Sequence, residues 1–286
     1  QIVKFAEVNT KEKEVLESKE SPIVILDKKD DFTLSYLIAP RIKKIGCMVA
    51  YTPLQVLLME CLDNPIIATS ANLGDEPIIK DMDSIYEKLP FVDFVLDFDR
   101  DIINAVDDSL VQVVDDRVQV LRRARGYAPF SLKLDGKLSQ NILSVGANQK
   151  NTICIGYGDN VVLSPHIGDL DSIANMEFFN RSVKTLQRFY DFTPQVIVCD
   201  KHPNYETTNW AKEQGIETIE VQHHKAHLNA VKLEYNLKGE YCGFIFDGTG
   251  YGDDGLLWGG EVFVGDRRKY HFKPLKLLGG EKAIKE

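Results

Sequence analysis

Cysteine is scarce in this chain, and its placement excludes two structural roles. The five cysteines stand at 47, 61, 154, 199 and 242, with no Cys-x-x-Cys among them. Such a scattered, odd-numbered set argues against a disulfide framework and a thiolate zinc knuckle, and points to a reducing cytoplasm. Long apolar runs are absent, which leaves no segment to span a bilayer, and no signal-peptide pattern occurs. Basic residues are outnumbered: 34 Lys and Arg face 43 Asp and Glu, for a net charge of −9. That balance disfavours a general grip on nucleic-acid phosphates, though it leaves room for a local basic patch. Internal repeats and low-complexity tracts are missing as well.

What is present is ordinary globular material. The 286 residues, 44% hydrophobic and 27% charged, suit two domains. Gln1 in place of Met and the ending "GGEKAIKE" read as cut ends, so a piece of a longer protein is expected.

Apolar runs alternate with helical patterns, which is α/β texture. Strands are expected at 21–26, 45–51, 65–72 and 92–98, and a helix at 53–62 with Pro53 in its first turn. "SLVQVVDDRVQVLRR" (109–123) predicts a hairpin turning at Asp115-Asp116. Pro, Gly and polar residues at 127–141 break the pattern, and the domain boundary is placed there. A second hairpin follows, turning at Gly158-Asp159. Residues 171–192 carry Met176, Phe179, Val183, Leu186 and Tyr190 on one helical stripe, with Asp171 as N-cap. Strand 195–200, helix 204–215 ending at Gly215, and strand 216–221 come next. Strands 241–247 and 256–266 close the chain, joined by "GTGYGDDG".

Half of the six histidines fall within five positions of "VQHHKAHLNAV" (221–231), at a helix start. Residues three or four apart share a helix face. His223 with His227, or His224 with His227, can therefore chelate one ion. The first pair lies in line with Ala230 and Val231, which are expected to face inward, and is preferred for that reason. Imidazoles completed by a carboxylate suit zinc or iron. The plainer alternative is a surface or capping role for the histidines. The next strand ends at Asp247 and is followed by Gly248, Gly250, Gly252 and Gly255. Glycines let backbone N–H groups approach an anion, so Asp247 can bind a metal beside a phosphate cradle. Taken alone, such a loop is also an ordinary hairpin turn.

"VQHHKAHLNAV" followed by "DGTGYGDDGLLWGGE" closely resembles the carbamoyltransferase HypF family of nickel–iron hydrogenase maturation. The likeness continues in "GCMVAYTPLQVLL", "TSANLGDEPI" (69–78), "DDSLVQV" (107–113), "LRRARGYAP" (121–129), "GANQKNT" (146–152), "SPHIGDL" (164–170) and "HPNY" (202–205). It implies an α/β fold in two parts. Residues 1–133 would be most of a YrdC-like domain, and 140–286 the first part of a TsaD-like domain of the actin/Hsp70-type fold. The opening of the first and the second half of the other would lie outside the chain.

The resemblance also implies an activity. Carbamoyl phosphate and ATP, with magnesium, give a carbamoyl-adenylate, and the carbamoyl group passes to the C-terminal cysteine thiol of the partner HypE. Carbamate is labile in water, which favours fusing two sites in one enclosed path. In the YrdC-like part Thr69, Ser70 and Asn72 would bind phosphate or the carbamoyl group. Ser109, after Asp107 and Asp108, would contact phosphate or magnesium, and Arg122 and Arg123 would neutralise adenylate charge. In the TsaD-like part His223, His227 and Asp247 would hold the metal, zinc or iron, as a Lewis acid, and Gly248, Thr249 and Gly250 would cradle phosphate. Lys150 and His166 are substrate-contact candidates. The nucleophile would be the partner's thiol, and all five cysteines here would be structural. One departure stands out: the family's His-Asn-Arg before the paired aspartates is Ile103-Asn104-Ala105 here.

Rival readings are threonylcarbamoyl transfer to tRNA, which uses related domains, and a non-catalytic metal- or nucleotide-binding scaffold that docks HypE. The acidic balance speaks against the first. Antibiotic O-carbamoyltransferases carry the same domain pair in the reverse order.

Overall fold

The computed structural model describes residues 1–74, 76–97 and 99–273. These form two compact units that interleave along the chain. One lies within 1–137, 149–154 and 159–192, the other within 138–148, 155–158 and the described residues from 193 onward. Neither coincides with a simple cut at the 127–141 segment.

The first sheet has the order β2-β1-β3-β4. Its strands are β1 (Ile23–Asp27), β2 (Lys44–Cys47), β3 (Leu110–Val114) and β4 (Arg117–Arg122). β1 runs antiparallel to β2 and parallel to β3. β3 and β4 form the expected hairpin, with φ of 50° at Asp115 and 57° at Asp116. Asp tolerates this left-handed region, and the resulting twist matches that of the strands. Helix α1 (Thr10–Leu16) starts at a reciprocal capping box of Asn9 and Glu12. Its Val15 and Leu16 join Phe5, Val24, Leu26, Ile45 and Val111 in one buried cluster.

Helices α2 (Pro53–Glu60) and α3 (Met82–Lys88) form with good caps, Thr52 and Asp81, yet neither buries a residue. The strands expected at 65–72 and 92–98 do not form among the described residues; Phe98 lies outside those. Ile66, Ile67, Phe94 and Leu96 are exposed there. An apolar run becomes a strand only when a neighbouring strand takes its backbone groups, and here none does.

The segment taken as a boundary contains a strand, β5 (Phe130–Lys133), paired antiparallel with β8. The remaining strands of this region are β6 (Ile142–Ser144), β7 (Cys154–Tyr157), β8 (Asn160–Leu163), β9 (Val196–Asp200) and β10 (Glu217–Val221). β6, β9 and β10 are parallel. Helix α4 (Ile173–Phe189) is capped by Ser172, whose side chain accepts from the Asn175 N–H, not by Asp171. Phe179, Val183 and Leu186 are buried on its apolar stripe. Helix α5 (Glu206–Glu213) joins the parallel pair β9 and β10, and Gly215 takes φ +67° just past its end.

Helix α6 (His223–Glu234) follows β10 and packs on the sheet β11-β12-β13. These strands are β11 (Cys242–Tyr251), β12 (Leu257–Val264) and β13 (Arg267–His271), all antiparallel. Leu228 of α6 meets Ile245, Trp258 and Phe263 in a small core. β11 does not stop at Asp247 as expected. It continues to Tyr251 through a bulge: between the pairs Phe246–Gly260 and Gly250–Trp258 lie 247, 248 and 249 on β11 but only Gly259 on β12. The tight turn comes later, where Gly255 takes φ +75°. No described helix is long and apolar enough to cross a membrane.

Candidate metal centre

Gln222 caps α6 by accepting from the Lys225 N–H at 3.0 Å, which sets His223 and His224 in the first turn and His227 one turn on. The bulge in β11 presents Asp247 to that turn. Asp247 Oδ2 lies 3.0 Å from His223 Nε2, 3.9 Å from His227 Nε2 and 4.0 Å from His224 Nε2. The two facing Nε2 atoms of His223 and His227 are 3.2 Å apart. Ligand atoms of His223, His227 and Asp247 all fall within 4.8 Å of one another.

These residues fit a cation on a specific ground. Asp247 Oδ1 accepts from the Gly248 N–H at 2.7 Å, but Oδ2 is buried with no aligned hydrogen-bond donor. Its short approach to His223 is a charge contact. A buried anionic oxygen without a donor is costly, and a metal ion among two imidazoles relieves that cost.

His223 and His227 are the pair brought together with Asp247, but the reason expected for them does not hold. Ala230 and Val231 face outward, with Val231 49% exposed. The buried line on α6 is His224 and Leu228. His223 and His227 occupy the adjacent line, at the rim of the buried face, where an ion would have access.

Charge follows this arrangement. The hydrogen bond to Asp200, then the close carboxylate of Asp247, pushes the His223 imidazole up to about 9 against its burial. Burial, then the His223 charge, holds His227 below the usual imidazole range, so its lone pair is free at neutral pH. Burial also lowers His224. At Asp247 burial works upward, but His223 outweighs it and leaves the carboxyl below its usual range.

The residues expected to cradle phosphate belong to the bulged strand, not to a free loop. The Gly248 N–H is taken by Asp247, and Gly250 is buried and paired with Trp258. Thr249 between them is half-buried. The lack of a side chain at Gly250 has a different cause. A Cβ there would lie 2.5 Å from His224 Cε1 and 3.0 Å from His223 Cδ2, so the strand backbone rests directly on the rings.

In the first unit the expected residues separate into two groups. Ser70 and Asn72 bond within their own loop: Ser70 Oγ donates to Asn72 Oδ1 at 2.5 Å, and the Asn72 amide donates to the Leu73 and Glu76 carbonyls. Thr69 is exposed beside them. Ser109 is fully buried; its hydroxyl donates to the Arg125 carbonyl and accepts from the Ala124 N–H. That position ties β3 to the chain after β4 and offers no open face to phosphate or magnesium. Arg122, Lys150 and His166 share a neighbourhood. His166 is half-buried, its backbone N–H donates to the Arg123 carbonyl at 2.8 Å, and burial lowers its imidazole, with Asp107 and Asp169 opposing and Arg122 and Lys150 adding to the effect. Arg122 Nε donates to the Asp108 carbonyl, and the Arg123 guanidinium lies 4.1 Å over the Phe130 ring. Lys150 is exposed, with φ +46°.

Three residues had no signal strong enough to be singled out. Arg125 binds Asp108 at 2.7 Å, donates to the Glu20 and Ser21 carbonyls, and lies 3.6 Å over the Tyr51 ring. Asp200, at the end of β9, binds His223 Nδ1 at 2.6 Å. Gln222 bonds His224 at 3.2 Å. A strand-ending Asp before "HPNY" and a Gln before the histidines were the available hints.

Three family models match the chain in order. They are telomere recombination (Sua5/YciO/YrdC) over 1–124, the HypF Kae1-like domain over 137–234, and the second subdomain of the carbamoyltransferase Kae1-like domain over 243–286. Carbamoyltransferase HypF of Synechocystis sp. is 41% identical over 100% of this chain. That of Rhizobium leguminosarum bv. viciae is 36% identical over 99%. The chain spans 38% of the length of each relative. Among solved structures, full-length HypF in a phosphate- and nucleotide-bound form superposes with a TM-score of 0.94 at 38% identity, covering 99% of this chain and 38% of that one. HypF of T. kodakarensis gives 0.92 at 34%, with the same coverage.

Proposed function

This chain belongs to the carbamoyltransferase HypF family, and from that premise we propose that its protein is an ATP-dependent carbamoyltransferase of nickel–iron hydrogenase maturation. Its α/β fold is the expected pairing of a YrdC-like part with a Kae1-like part. The observation that carries the proposal is the convergence of His223, His227 and Asp247, with Asp247 Oδ2 left unpartnered.

In this reading the substrates are carbamoyl phosphate and ATP with magnesium. Carbamate is adenylated in the YrdC-like part, where Thr69, Ser70, Asn72, Arg122 and Arg123 are the groups available to phosphate, ribose or carbamoyl oxygens; Lys150 and His166 of the Kae1-like part are candidates for substrate contact. His223, His227 and Asp247 would hold a zinc or iron ion, which supplies Lewis-acid polarisation of a carbamoyl or phosphoryl oxygen. The acceptor is the C-terminal cysteine thiol of HypE. A nucleophile from this chain is disfavoured on physical grounds at buried Cys47 and half-buried Cys154. Burial pushes the Cys47 and Cys154 thiols up to about 11, so they stay protonated and unreactive at neutral pH.

The test uses a protein of the relatives' full length that carries this chain, with carbamoyl phosphate, ATP, magnesium and HypE. Pyrophosphate release and carbamoylation of the HypE cysteine are both expected. His227→Ala should retain pyrophosphate release and lose carbamoylation. Undiminished carbamoylation by that variant would remove the histidine site from the transfer step.

A further inference from the structure

His223 and His224 are neighbours on α6, and their hydrogen bonds give them different chemistry. The Asp200 side chain is only 6% exposed. Its Oδ1 accepts from the His202 N–H at 2.8 Å, and its Oδ2 lies 2.6 Å from His223 Nδ1. A carboxylate can only accept, so His223 carries a proton on Nδ1. Once a cation displaces the second ring proton, Nε2 is the atom with a lone pair to give, and it is the atom that faces His227 and Asp247.

His224 is held the other way round. Its ring is fully buried, with Nδ1 3.2 Å from Gln222 Nε2. Two backbone groups fix the orientation of that amide. Gln222 Oε1 accepts from the Lys225 N–H at 3.0 Å, and Nε2 donates to the Tyr251 carbonyl at 3.1 Å. An amide nitrogen can only donate, so His224 Nδ1 accepts and the proton sits on Nε2. That Nε2 is buried, has no hydrogen-bond partner, and points toward Asp247 Oδ2, 4.0 Å away.

We infer that Asp200 and Gln222 lock adjacent imidazoles in opposite tautomers. His223 becomes a cation ligand; His224 keeps its Nε2–H turned toward the Asp247 carboxylate, 4.0 Å away, and cannot ligate. This rests on the cation reading above and deepens it. An N–H cannot ligate a cation, so His224 is excluded from the ligand set although it sits one residue from a ligand. The choice between the pairs His223–His227 and His224–His227 is thus made by two side chains outside both. Asp200 is a positioning residue: ligating imidazoles are commonly held by such outer hydrogen bonds, whose loss weakens metal binding.

The test uses the 286-residue chain labelled with ¹⁵N-histidine and loaded with zinc, read by long-range ¹H–¹⁵N correlation. His223 should show Nδ1–H with Nε2 on zinc, and His224 should show Nε2–H. In Asp200→Asn the new amide can keep the His202 contact through its oxygen while its NH₂ faces His223 Nδ1. That moves the imidazole proton to Nε2, and zinc affinity should fall about 10- to 100-fold. If the variant does not fold, the tautomers of the unaltered chain still decide the matter. Both rings in one tautomer, or unchanged zinc affinity in a folded Asp200→Asn chain, overturns the lock alone. No zinc uptake by the unaltered chain overturns the cation reading, and the lock with it.

Discussion

Helices α1 and α2 are introduced by the same device: Asn9 with Glu12 in one, Thr52 with Gln55 in the other, each a reciprocal capping box. Beyond the first turn they diverge. α1 sets Val15 and Leu16 into the cluster under β1 and β3. α2 buries nothing, and its Leu54, Leu57 and Leu58 remain 55%, 60% and 46% exposed. Capping satisfies the first N–H groups of a helix wherever it forms, but only an apolar surface opposite ties that helix to a fold. The same contrast separates β1, which alternates buried and half-buried residues between two partners, from the apolar runs at 65–72 and 92–98.

The sharpest way to break this contrast is Leu26→Ala. Leu26 is fully buried in the α1 cluster, and its truncation should cost about 2–5 kcal/mol in a denaturant titration. A loss below about 1 kcal/mol would mean that the cluster does not hold the unit together. Gly250→Ala carries the comparison to the other unit, where backbone instead of side chain fills the contact. The new methyl meets the His224 and His223 rings, and a cost of about 1–3 kcal/mol in thermal unfolding is expected, together with weaker zinc binding. Unchanged melting and zinc affinity would show that the rings do not rest on the strand. The smallest effect belongs to Leu57→Ala, which should move stability by no more than about 0.5 kcal/mol. A larger loss would mean that this face of α2 is covered in solution.

Much of the architecture was legible because it is local. The Asp115-Asp116 hairpin, the α6 start and the Gly215 stop follow from turn and cap chemistry that a few adjacent residues contain. The absent strands were not legible, since strand formation depends on a distant partner that periodicity cannot supply. The site was half legible. The spacing of four marked His223 and His227, yet the inward line on α6 turned out to be His224 and Leu228. Asp200 and Gln222 escaped notice because their importance lies in contacts from β9 and from the cap, and neither residue type is diagnostic by itself. Gly250 was seen, but its reason was misassigned: the nearest demand on it is steric and comes from imidazole rings.

The bulge in β11 has a consequence for which residues touch the helix. Up to Asp247 the odd-numbered positions do so: Gly243 lies against Leu228, Ile245 shares its core, and Asp247 reaches His223. Past the bulge an even-numbered position, Gly250, takes over beneath His224. The strand has changed phase, so two successive contacts with α6 fall three residues apart, a spacing that regular two-residue alternation never produces. Regular alternation from Asp247 would instead have turned Thr249 and then the bulky Tyr251 ring toward the imidazoles. The extra residue in that short segment, as much as its composition, is what lets bare backbone meet the histidines beside the acid.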